Sequence, residues 1–165
     1  MQKIEYRLDD KSTWGDGPWQ SEPDMLLWVD PQTGLQCMIA RADFGHLCGY
    51  VGLLPGHPLH GKEYRNIALH AHGDINFANE FSLASLRLDP PLNDSTPLWW
   101  LGFDCGHSWD FSPGMAAHIK ELGISNFDGI ELFNQPQRYC IIDYVFAEVT
   151  DLAAQLHALA TKECQ

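Results

Sequence analysis

Positive charge is what this chain has least of. Its 165 residues include only ten Lys and Arg against 22 Asp and Glu, a formal net charge of −12. Non-specific affinity for nucleic acid rests on neutralising phosphates with Lys and Arg, so direct nucleic-acid binding is not expected. The five cysteines, Cys37, Cys48, Cys105, Cys140 and Cys164, are odd in number, widely spaced and contain no Cys-x-x-Cys pair. That pattern argues against a disulfide framework and against a zinc knuckle, and it fits reduced thiols in a cytosol. No apolar run approaches the roughly 18 residues that would read as a membrane span. The charged segment Met1–Asp10 lacks the apolar core of a signal peptide. Neither a Gly-x-Ser-x-Gly elbow nor a phosphate-cradling Gly-x-x-x-x-Gly-Lys-Ser/Thr loop is present. The expectation is a cytoplasmic protein with no membrane partner.

The length suits one globular domain over residues 1–165, and the hydrophobic pattern gives its class. Gln2–Leu8, where Ile4, Tyr6 and Leu8 alternate with Lys3, Glu5 and Arg7, reads as a strand, as do Met25–Val29, Leu35–Ala42 and Leu47–Leu53. Between the second and third of these, Asp30-Pro31-Gln32-Thr33-Gly34 has turn chemistry. Ile67–His72 is a further strand candidate, Phe81–Leu88 reads as another strand or an edge segment, and the apolar run Leu98–Phe103 reads as the central strand. Asn126–Gln137 reads as irregular chain. Ser112-Pro113-Gly114 fits a helix start, with the helix over Met115–Leu122 closed by Gly123. Val145, Val149, Leu152, Leu156 and Leu159 recur every three or four residues, one apolar stripe on a helix from about Ile142 to Thr161. Strands first and helices last predict an α+β fold, an antiparallel sheet with the long C-terminal helix packed on one face.

The apolar run at Trp99–Phe103 ends in Asp104-Cys105-Gly106-His107-Ser108-Trp109-Asp110, which places two carboxylates, a thiol and an imidazole just past a strand. His72 closes another strand candidate. If the two strand ends are neighbours, His72, Asp74, Asp104, His107 and Asp110 converge, and imidazole with carboxylate suits a divalent cation such as zinc, iron or manganese. Three protein ligands and one open position would activate a water. The structural alternative is that Asp104 and Asp110 cap turns through Asx hydrogen bonds and His107 is a satisfied core imidazole. Cys105 reads as an inert, partly buried thiol, because the charge of Asp104 opposes thiolate formation. Trp14, Trp19, Tyr50, Trp99, Trp100 and Trp109 offer rings for stacking. Arg41, Lys62, Arg65 and Arg138 offer scarce positive charge for a phosphate. Most of these aromatics are nonetheless expected in the core.

Five segments occur in order: Cys48–Gly52, Gly56–Lys62, His72-Gly73, Trp99–His107 and Tyr144–Glu148. Over roughly residues 37–160 the set resembles a family of small hypothetical proteins encoded by phages, prophages and related bacterial genomes. The resemblance implies an acidic accessory protein that works in the host cytoplasm by binding, with no catalytic roles to carry over. The leading expectation is therefore a non-enzymatic binder of a host protein with a basic surface, such as a component of a bacterial defence system. Its ligand site would draw on Tyr50, His57, Lys62, His72, Trp99, Asp104, His107, Trp109 and Asp110. A metal-dependent hydrolase using His72, Asp104, His107 and Asp110 is the alternative, with a divalent metal as the candidate cofactor. A nucleotide-binding sponge that takes a small nucleotide-like ligand is the third.

Overall fold

The computed structural model describes residues 1–66, 68–123 and 136–162. Six strands, β1 (Lys3–Tyr6), β2 (Met25–Val29), β3 (Gln36–Arg41), β4 (Leu47–Leu53), β5 (Phe77–Phe81) and β6 (Leu98–Asp104), form one antiparallel sheet in the order β1-β2-β3-β4-β6-β5. Two helices follow, α1 (Pro113–Glu121) and α2 (Ile142–Lys162). The architecture is α+β. No helix among the described residues is long and apolar enough to cross a membrane.

The β2–β3 turn forms as its residues dictate. Asp30 Oδ2 accepts hydrogen bonds from the Thr33 backbone N–H and hydroxyl, and Gly34 takes φ +73°. Helix α2 lies over β3 and β4. Its stripe of Val145, Val149, Leu152, Ala153 and Leu156 is fully buried against Trp28, Ile39, Val51, Leu101 and Phe103. Gly49 on β4 permits this approach, because a Cβ there would collide with Val149 and Phe103. The opposite sheet face carries Tyr6, Met25, Leu27, Met38, Leu98 and Trp100, and a 3-10 turn at Leu83–Leu86 covers it together with Leu88 and Leu92.

Three expectations need correction. Strand β6 is interior but not central: it stands fifth in the order, between β4 and the edge strand β5. Its continuous apolar run reflects cover on both faces and a neighbour on each side. Phe81–Leu88 is not a strand. The edge strand lies earlier, at Phe77–Phe81, where Asn79 and Glu80 face solvent and dilute the apolar alternation. Residues 68–72 form no strand either, and Ile67 is outside the described residues. The main chain of His70 is bonded by one side chain of α2 instead: Gln155 accepts from its N–H and donates to its carbonyl. The segment expected to be irregular, Asn126–Gln137, lies mostly outside the described residues, as does Cys164.

Candidate metal centre

His72 and His107 reach the same carboxylate from two different segments. Gln155 pins the chain at His70, and a tight turn follows in which Asp74 N–H bonds to the Ala71 carbonyl. Gly73 takes φ +64° in that turn, and a Cβ on it would overlap the His107 ring. A glycine is therefore required for the two imidazoles to sit side by side, 5.5 Å apart between ring centres. His107 and Asp110 belong to the turn after β6. A short parallel bridge pairs Asp110 with Arg138 and brings the chain ahead of α2 alongside.

Asp110 is the hub, and it is buried at 4 % exposure. His72 Nε2 lies 3.0 and 2.9 Å from its two oxygens, and His107 Nδ1 lies 2.9 Å from Oδ2. The His107 backbone N–H also donates to Oδ2 at 3.1 Å, and the Cys140 thiol approaches Oδ1 at 3.6 Å. Burial works against the charge on Asp110, but the hydrogen bonds from His72 and His107 override it and hold the carboxyl below its usual range. An ionised carboxylate only accepts, so both facing nitrogens carry hydrogens here. A neutral His72 ring then offers Nδ1 to the Tyr144 hydroxyl, 3.0 Å away. Burial and the charge of Glu148 push the Tyr144 phenol up to about 12, so it remains the donor.

The same geometry separates two chemistries. In a Cys-His-Asp catalytic relay the imidazole meets the thiol with one nitrogen and the carboxylate with the other. Here His72 Nε2 faces both Asp110 and Cys140 Sγ, the latter at 3.9 Å, while Nδ1 is taken by Tyr144. A relay is not built this way. Lone-pair atoms aimed at one point are what a cation needs, and the Tyr144 hydroxyl could accept from the outward Nδ1 of His72 once Nε2 is a ligand. His72, His107 and Asp110 offer ligand atoms that all lie within 4.8 Å of one another.

The cluster opens to a cavity of about 240 Å³ lined by His72, Trp109, Asp110, Arg138, Tyr139, Cys140, Ile141 and Tyr144. Trp109 is 54 % exposed, with one face of its indole stacked on His107 at 4.6 Å and 3°. No hydrogen bond or ion pair of the Arg138 guanidinium occurs among the described residues.

The remaining candidate residues have partners elsewhere. Asp104 accepts from Asn76 Nδ2 at 2.5 Å and from the Gly106 backbone at 2.8 Å, so it shapes the turn and stands outside the ligand group. This is an Asx turn, the structural alternative for Asp104. Tyr50 packs on Gly102 and Phe77, toward the face away from α2. His57 Nε2 contacts the Leu156 carbonyl near the far end of α2. Trp99 donates its indole N–H to the Lys62 carbonyl. Trp19 is a core residue, against Phe111 and Tyr139. Two residues of the site carry no sequence signal that pairs them with it: Cys140 and Tyr144 join through the chain reversal ahead of α2, which no local spacing announces. Cys105 is buried. Its thiol bonds to Cys140, and that contact and burial both push its pKa up.

The chain matches no family model, no curated protein and no solved structure.

Proposed function

We propose that the chain is a metal-dependent hydrolase acting on a small, nucleotide-like ligand. The observation that carries this reading is the convergence of His72 Nε2 and His107 Nδ1 on the Asp110 carboxylate at the wall of a cavity. Those three donors suit zinc, iron or manganese. A cation there would take the lone pairs of the two facing nitrogens, each ring proton shifting to the opposite nitrogen of its own imidazole. A divalent ion held by His72, His107 and Asp110 would lower the pKa of a bound water toward about 7 and so supply hydroxide at neutral pH. Arg138 supplies the positive charge for an anionic group, and Trp109 and Tyr144 supply flat walls. A volume of about 240 Å³ falls just below the roughly 300–1,000 Å³ of drug-sized pockets, so it favours a single small ligand over a polymer. The test is turnover of nucleoside phosphates and simple phosphate and carboxylate esters by tag-free protein with added Mn²⁺ or Zn²⁺. Metal-dependent hydrolysis that disappears in His107→Ala and Asp110→Asn is expected. A bound ion without turnover of any of these removes catalysis and leaves a nucleotide-binding role, read as ligand-induced thermal stabilisation.

A second reading rests on a different observation, the net charge of −12. It favours a phage-type accessory protein that occupies a basic surface of a host protein, including a defence factor, in the host cytoplasm. Binding to such a partner weakens as salt rises. Affinity that ignores salt removes the charge-based version.

A further inference from the structure

The two thiols beside the cluster have no part in the hydrolase reading. Cys105 directly follows β6 and Cys140 stands just ahead of α2. Both are buried, and neither forms a disulfide. Their sulfurs and a ring nitrogen of His72 all lie within 4.8 Å of one another. Cys140 Sγ is 3.9 Å from His72 Nε2 and 3.6 Å from Asp110 Oδ1. Zinc bonds of about 2.3 Å to sulfur and about 2.0–2.2 Å to nitrogen and oxygen place the neighbours of a tetrahedral ion about 3.3–3.8 Å apart, the two sulfurs farthest. The contacts of Cys140 already stand close to those separations.

We propose that His72, Cys105 and Cys140 form a second, thiolate-lined seat for a zinc-class ion, and that this seat competes with the open one for His72. The proposal rests on His72 being a metal ligand. Nε2 has a single lone pair, so it serves one ion at a time. The seats differ in softness: two thiolates favour zinc or cadmium, whereas imidazole and carboxylate alone also suit manganese. They differ in closure as well. Asp110 Oδ1, 3.6 Å from Cys140 Sγ, is the carboxylate oxygen that would close a fourth position and exclude water, as in structural zinc sites. Filling this seat releases the two thiol protons. The His72 ring proton moves to Nδ1, where the Tyr144 oxygen accepts it. One chain thus holds either a hard ion in an open seat or a soft ion in a closed one.

The experiment uses tag-free, full-length protein. X-ray absorption at the zinc edge of the zinc-loaded wild type is expected to show two sulfur neighbours at about 2.3 Å. A shell of nitrogen and oxygen alone overturns the proposal, and this readout needs no variant. Titration with Cd²⁺ or Co²⁺ is expected to give thiolate-to-metal absorption at one ion per chain. That absorption is lost in Cys140→Ser and Cys105→Ser and kept in His107→Ala, with circular dichroism confirming that each variant is folded. Zn²⁺ added to Mn²⁺-loaded protein is expected to expel Mn²⁺ one for one, and both ions held together contradict the competition. The two readings fail separately. Sulfur-bound zinc in a protein that never binds Mn²⁺ removes the open hydrolytic seat, whereas zinc bound without sulfur removes only the thiolate seat.

Discussion

Two buried polar clusters meet at adjacent residues, Tyr139 and Cys140, and they are built on opposite principles. The first joins Lys11, Glu22, Asp24, Arg41 and Tyr139. Lys11 Nζ and Arg41 Nε both reach Asp24 Oδ1, at 2.6 and 2.8 Å. Arg41 also donates to the Tyr139 hydroxyl at 2.7 Å, and Tyr139 donates to Glu22 at 2.6 Å. Glu22 Oε1 accepts the first N–H of α2, from Ile142, at 2.8 Å. Two acids face two bases, and neither acid is short of donors. The second cluster gathers two imidazoles and a thiol around one carboxylate, Asp110, at the wall of a cavity. Its donors are groups that can give up their protons. A closed, charge-balanced network fixes β2, β3 and the start of α2 relative to one another. An open cluster whose imidazole protons can shift to the outer ring nitrogens is suited to present lone pairs to a cation. Burial of charge alone does not mark a functional site; what distinguishes the second cluster is donors that can leave and space for something to replace them.

This contrast can be broken by mutation. Arg41→Met leaves Asp24 and Glu22 short of a buried partner and is expected to cost about 3–5 kcal/mol in urea unfolding, with Mn²⁺ binding retained by the folded fraction. Asp110→Asn is expected to do the reverse. It removes a metal ligand, so Mn²⁺ affinity falls by more than the roughly 10–100-fold typical of an outer partner, while unfolding changes by only about 1–3 kcal/mol. Equal stability losses in the two variants would erase the distinction. Tyr144→Phe, which frees His72 Nδ1, is expected to weaken Mn²⁺ binding by about 10–100-fold and to leave melting almost unchanged.

Acid sharpens the same comparison. Burial lowers the His46 pKa below its free value, despite the nearby charges of Asp104 and Asp110. The unfolded chain therefore takes up that proton first, and stability falls as pH drops through about 6.5. Asp110 has the depressed carboxylate of the usual acid case. Its contribution is complete above the unfolded value of about 3.9 and is lost as pH falls further toward its folded pKa. Unfolding measured across this range should show both steps, with the first flattened in His46→Gln. The smallest expected effect is that of Asp104→Asn: about 1 kcal/mol from one of its two hydrogen bonds, and no change in metal binding.

Most of the sheet and both helices were legible because their patterns are local. The stripe on α2 and the Asp30–Gly34 turn report one face and one reversal, and neither depends on distant chain. The edge strand β5 was not legible, since a half-exposed strand containing Asn79 and Glu80 shows no clean alternation. The segment before His72 looked like a strand because its apolar residues do face the core, Leu69 among them. Its hydrogen bonds, however, go to a side chain of α2. At the site, His72, His107 and Asp110 were identifiable as residue types placed beyond probable strand ends. The exclusion of Asp104 was not, because Asn76 and the Gly106 N–H claim it only once the turn is folded. Cys140 and Tyr144 depend wholly on tertiary structure.

The most direct test of the central claim is Mn²⁺ titration followed by electron paramagnetic resonance on tag-free protein. One Mn²⁺ per chain is predicted for the wild type and for Cys105→Ser, and none for His107→Ala with its circular dichroism unchanged. An ion count near zero in the wild type, or binding that persists undiminished in His107→Ala, would contradict the assignment of His72, His107 and Asp110 as a metal centre.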